Sequence, residues 1–155
     1  QRTQFVAREE DMGIPLLYAT GKKSMQYIGF DLGQPMSLHA TAAGKAIFAH
    51  LPPETIDEIF ETEFEQITEN TITDPNELRE ELNTVREQGH AFNNEESFSG
   101  LKAVGVPVFD EDDRIIGSVS VSSAANKMYG DFFTSELPVE IKGFTNEIEL
   151  KNKHL

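Results

Sequence analysis

An α+β fold, an antiparallel sheet flanked by helices, is predicted by three observations. The elements run from strands to helices, back to strands, and end on a helix. A hairpin is centred on Glu111-Asp112-Asp113, with Val104, Val106 and Val108 alternating before it and Ile115 to Ser122 returning after it. A helix with both ends marked spans about Pro75 to Gln88. A chain of 155 residues fits one domain, large enough to bury a core without staples.

Gln4 to Arg8 and Ile14 to Thr20 read as two strands, with residues 9–13 turning between them. Gly21-Lys22-Lys23-Ser24 makes a further turn, Met25 to Phe30 a third strand, and Gly33-Gln34-Pro35 leads into a run of small residues. In that run Thr41 is a cap, and Ala42, Ala43 and Gly44 form the first turn of a helix that Pro52-Pro53 stops. A first helical turn has amides without intrahelical partners at the positive end of the dipole. The small residues suit either close packing on a strand or access by a small anion. Gly44-Lys45 is not a phosphate loop, because the earlier glycine is missing and Ala46 stands where a hydroxyl residue belongs.

Ile56, Ile59 and Phe60 mark a short amphipathic helix. In the best-defined helix Asp74 is the cap, Pro75 sits where a missing N–H costs nothing, and Glu77 can reach back. Leu78, Leu82 and Val85 line its apolar face, and Gly89 ends it in the left-handed conformation. His90 to Glu95 starts a strand, and residues 97–102 form a polar loop. Pro107 lacks a ladder donor, which predicts an edge or an outward-facing position. On the returning strand, a period of two puts Ile115, Gly117, Val119 and Val121 on one face and Ile116, Ser118, Ser120 and Ser122 on the other. A serine face suits water or a hydroxyl-lined pocket. Leu137, Ile141, Phe144 and Ile148 form a last helical stripe, with Lys151, Lys153 and His154 at its negative end.

Acidity is the compositional outlier: 27 Asp and Glu against 13 Lys and Arg, a formal charge of −14. Such a surface repels phosphate backbones, so this segment is a poor partner for nucleic acid. The acids are scattered along the chain, as in a solvated, salt-adapted shell. The absence of cysteine excludes disulfides, thiol nucleophiles and thiolate metal sites, and suits a cytoplasmic location. No apolar run approaches the ~20 residues that span a bilayer, and no secretory signal is present. With Gln1 as first residue, the chain reads as a piece of something longer.

No catalytic set stands out. His39, His50, His90 and His154 lack metal-ligand spacing. Ser118, Ser120 and Ser122 have no His or Lys beside them in sequence, and no nucleophile elbow surrounds any serine. A binding module fits better than an enzyme. The rival readings are a small-acid hydrolase using His39 with Glu95 or Glu96, and a dimerisation module without ligand.

Three segments together resemble the C-terminal effector-binding domain of the IclR-type transcriptional regulators. They are residues 38–46 (LHATAAGKA), residues 89–96 (GHAFNNEE) followed by 103–110 (AVGVPVFD), and residues 116–123 (IGSVSVSS). The resemblance covers nearly all of residues 1–155 as one domain. It implies a GAF- or PAS-like fold with a pocket for a small organic acid or aromatic effector, no cofactor and no catalysis. It also implies a homodimer or homotetramer that touches DNA only through an N-terminal winged helix-turn-helix, a part absent from this chain. Family ligand contacts fall on the helix start at Ala42, Ala43 and Gly44, on Asn93, on Ala103, and on Ser120 and Ser122. At Asn93 this sequence departs from the usual Asp or Ser: an amide donates and accepts but carries no charge.

Overall fold

A computed structural model of the chain describes residues 1–21 and 32–153. The expected third strand at residues 25–30, most of the turn before it, and His154 lie outside the described residues. Five strands form one antiparallel sheet: β1 (Arg2–Glu9), β2 (Met12–Thr20), β3 (Ala91–Asn94), β4 (Leu101–Phe109) and β5 (Ile115–Ala124), in spatial order β2-β1-β5-β4-β3. The helices are α1 (Ala42–Phe48), α2 (Pro53–Phe60), α3 (Pro75–Gln88) and α4 (Leu137–Asn152).

Two cores lie on opposite faces of the sheet. On one face, Ala43, Ala46, Ile47 and Phe48 of α1 pack with Val6, with Leu78, Leu82 and Val85 of α3, and with Ile115. On the other, Val104, Val106, Val108, Val119 and Val121 pack with Leu137 and Ile141 of α4. Fully burying each Val, Leu, Ile or Phe side chain among these contributes ~1.5–3 kcal/mol. The alternation expected for β4 and β5 therefore places apolar residues under a helix on both sides, and the serine face of β5 is covered by α1 rather than by water.

In the β4–β5 pair the period of two breaks once. A bulge shifts the β4–β5 register at Val108/Phe109, where Phe109 pairs with Ile115 and Val108 with Gly117. One extra residue reverses the sides on which neighbouring residues fall. Hence Ile115 packs with α1 and α3 rather than with Val119 and Val121, while Ile116 packs toward α4. Beyond the bulge, Ser118, Ser120 and Ser122 keep their common face. Pro107 lies past the end of β3, whose pairing with β4 stops at Gly105, so its missing donor leaves no rung of that ladder unmade.

The helix ends follow their sequence signals. Asp74 Oδ2 accepts from the Glu77 amide at 2.9 Å, Pro75 opens α3, and Gly89 ends it with φ 80°. The stripe of α4 differs from expectation at one position. Phe144 is 53% exposed, and Thr145, 2% exposed, takes its place between Ile141 and Ile148. Spacings of three and four both return to one side of a helix, so spacing admits either residue, and it is burial that distinguishes Thr145 from Phe144.

Candidate functional site

The site is built where α1 meets the sheet. Thr41 Oγ1 accepts from the Gly44 amide at 2.9 Å and donates to the Ser37 carbonyl at 2.7 Å, which fixes the start of the helix. The amides of Ala42 and Ala43 have no acceptor among the described residues, as expected for the first positions of a helix. Ser118 Oγ donates to the Ala43 carbonyl at 3.1 Å and ties this turn to β5.

Strand pairing sets the floor. Arg2, Gln4 and Val6 of β1 stand opposite Ser122, Ser120 and Ser118 of β5. Those serines pair in turn with Ala103, Gly105 and Pro107 of β4, and Asn93 of β3 pairs with Ala103. Above this floor lies a buried cavity of about 10 Å³, lined by Gln4, Thr41, Ala42, Ala43, Asn93, Leu101, Ala103, Ser120 and Ser122. Six of the seven residues expected at a ligand site converge there. Gly44 does not: its amide is spent on the Thr41 cap, and its Cα faces the Ser37–Thr41 backbone too closely for any side chain.

Ser120 and Ser122 are 2% and 7% exposed, and neither hydroxyl bonds to another described residue. Asn93, 2% exposed, is held from both ends: Oδ1 accepts from the Glu96 amide at 2.8 Å, and Nδ2 donates to Ser97 Oγ at 2.7 Å. Behind it, Lys45 of α1 is buried against Glu96 Oε1 at 2.8 Å and Glu81 Oε1 at 3.0 Å. Glu96 Oε2 also accepts from the Asn94 amide at 2.8 Å. This ionic cluster joins α1, α3 and the loop after β3 directly behind the cavity wall.

The sequence alone did not single out Gln4, Thr41 or Leu101 as cavity residues. The first two sit on a recognised strand and at a recognised cap, but only the pairing of β1 with β5 brings Gln4 to Ser120. A wider groove of about 440 Å³ opens elsewhere, between the end of α1, α2 and α3. Its arginines are already engaged, Arg79 with Asp57 at 3.1 Å and Arg86 with the Ala49 carbonyl at 2.9 Å, and none of the expected ligand residues reaches it.

The hydrolase arrangement is not assembled. His39 Nδ1 bonds Ser37 Oγ at 3.0 Å and Nε2 bonds the Glu65 carbonyl at 2.8 Å, so both ring nitrogens are taken. Glu95 accepts from the Gly100 amide, and Glu96 is paired with Lys45. Among the described residues, no group of three or more His, Asp or Glu could hold a metal ion, and no helix is long and apolar enough to cross a membrane.

The family described as the C-terminal domain of bacterial IclR transcriptional regulators matches residues 2–148. The chain belongs to this family. The IclR-type domain is 38% identical over 120 residues to the probable HTH-type transcriptional regulator ArcR of Halobacterium salinarum, covering 76% of this chain and 45% of that protein. The chain thus spans less than half the length of that relative. Among solved structures, the IclR of Thermotoga maritima superposes with a TM-score of 0.91 at 30% identity, over 98% of this chain and 61% of that one. The inducer-binding domain of an Acinetobacter PobR double mutant, in complex with 3-hydroxybenzoic acid, shares the fold. Its TM-score is 0.84 at 23% identity, covering 96% of this chain and 87% of that one. IclR-family relatives are transcriptional regulators rather than enzymes, and the domain matched here is their effector-binding part.

Proposed function

We propose that this domain senses a small organic acid in the cavity between α1 and β5 and passes its occupancy to DNA-binding domains of a homodimeric or homotetrameric regulator. The ligand carboxylate lies against the amides of Ala42 and Ala43 and the hydroxyls of Ser120 and Ser122, with Asn93 and Ala103 closing the side. One observation carries this reading: donors without partners among the described residues, from a helix start and from a neighbouring strand, converge on a single buried space. Each hydrogen bond to a charged carboxylate contributes roughly 1.5–3 kcal/mol before desolvation is charged against it. The 3-hydroxybenzoic acid complex of the PobR domain supports a carboxylate ligand in this fold.

The cavity volume of about 10 Å³ holds a body the size of one water molecule, so an acid of several heavy atoms enters only as the walls part. Binding then favours a wider arrangement of α1 against the sheet. An effector shifts the regulator only by its difference in affinity between the two arrangements. Calorimetric titration of short carboxylic acids against the wild type and Ser120→Ala/Ser122→Ala tests the site. At least a tenfold loss of affinity is expected in the double variant, and equal binding by the two proteins would overturn the proposal.

A further inference from the structure

The cavity holds two polar side chains that the ligand contacts expected for the family do not include: Thr41, whose hydroxyl is engaged in the helix cap, and Gln4. Gln4 lines it from β1, is 8% exposed, and is the Cα partner of Ser120. Its Oε1 is fully buried and accepts no hydrogen bond from the described residues. Leaving a buried amide oxygen unmatched costs ~1–3 kcal/mol, and most buried polar atoms are satisfied. A leucine or methionine would fill the same space without that cost. An acceptor buried beside the donors of Ser120 and Ser122 is complementary to a molecule that brings its own hydrogen-bond donor.

The rest of the lining narrows the choice. The other walls are Ala42, Ala43, Ala103 and Leu101, small or aliphatic, with the polar groups of Thr41, Asn93, Ser120 and Ser122 between them. Among the described residues, no aromatic ring lines the cavity to stack on a ligand ring. With the amide in this orientation, acceptor-only ligands, such as simple carboxylates and oxo acids, leave Oε1 unmatched. A hydroxyl both donates to Gln4 Oε1 and accepts from a serine.

We infer that Gln4 is a specificity-determining residue, and that the effector is a short aliphatic acid bearing a hydroxyl group near its carboxylate. This rests on the cavity being the effector site. Selection by such a residue is steep on one side only: a site with a buried acceptor rejects a ligand lacking the matching hydroxyl, because the acceptor is then stranded.

Matched pairs of acids test it by calorimetry: glycolate with acetate, lactate with propionate, and 3-hydroxypropionate with propionate, with pyruvate and 3-hydroxybenzoate as further probes. The wild type is expected to bind at least one hydroxylated aliphatic member about five- to tenfold more tightly than its partner, the worth of one neutral hydrogen bond. Gln4→Met should erase that ratio while keeping the affinity for the unhydroxylated acid. It should also melt at or above the wild-type temperature, since it removes an unmatched buried carbonyl. Equal binding within every pair, a ratio that survives in Gln4→Met, tighter binding of pyruvate or 3-hydroxybenzoate, or a marked fall in the melting temperature of Gln4→Met overturns the inference. If acids bind and lose affinity in Ser120→Ala/Ser122→Ala while the hydroxyl makes no difference, only the role of Gln4 falls. If no acid binds, or the serine variant binds all of them as the wild type does, the site itself is wrong.

Discussion

A Cβ placed on Gly105 would land on the carbonyl group of Ala42 and within 2.8 Å of the amide nitrogen of Ala43. The floor of the sheet at β4 and the first turn of α1 are therefore in backbone-to-backbone contact. Close approach of this kind is a use for glycine that needs no unusual dihedral angle. Gly105→Ala should push the start of α1 off the sheet and stretch the Ser118–Ala43 hydrogen bond. Overpacking of a tight interior costs ~1–3 kcal/mol. Chemical denaturation should show a loss in that range, and calorimetry should show weaker binding of any acid held at Ala42 and Ala43. Unchanged stability would mean that the helix and strand are less tightly apposed than described.

Lys45 is 1% exposed and holds two carboxylates, one of them almost as deeply buried as itself. A buried pair of this kind is weak evidence of net stabilisation, because desolvation opposes the attraction. Breaking one half is nonetheless severe. Lys45→Met should cost ~3–5 kcal/mol, since Glu96 is left charged and unpaired behind the cavity wall. Lys45→Met/Glu96→Gln should recover much of that loss. Urea unfolding of both variants and of Glu96→Gln completes the cycle, and purely additive effects would show that the two residues do not interact.

Two histidines set a pH response. Burial holds the His50 pKa below its ordinary 6.5, with the Arg86 charge acting the same way and a hydrogen bond to the Ala46 carbonyl opposing. Burial, together with the charge of Lys142, does the same for His90, opposed by a backbone hydrogen bond at Gln88. Near and just below pH 6.5 the unfolded chain therefore binds more protons than the folded one, and stability rises with pH across that window. Lowering the pH from 7.5 toward the lowered folded values should lower the melting temperature progressively, with no further change from these groups once both states are protonated. His50→Gln and His90→Gln should each flatten the slope. A melting temperature independent of pH between about 7 and 6 would contradict the shifts.

Local signals were enough for α3, where Asp74, Pro75 and Gly89 mark the ends and Leu78, Leu82 and Val85 mark the buried face. They were enough for the alternation of β4 and β5 as well. They could not decide what covered Ser118, Ser120 and Ser122, because that depends on α1, some seventy positions away, settling over β5. The bulge beside Ile116 carries no composition cue, so Ile115 was assigned to the wrong side. Phe144 outranks Thr145 in hydrophobicity, yet the line of contact down α4 passes through the threonine. Gln4 illustrates the same limit at the site: an ordinary polar residue in a strand becomes a cavity wall only through register with Ser120.

The odd–even division of β5 has a further consequence. Ser120 and Ser122 line the cavity and Ser118 holds the start of α1, while Val119 and Val121, one step along the chain, support α4 on the reverse side. On the proposed reading, substitutions at every second position rewrite chemical preference while the intervening residues hold the architecture constant. A strand used as proposed here would let a lineage exchange one metabolite cue for another without first reinventing its scaffold.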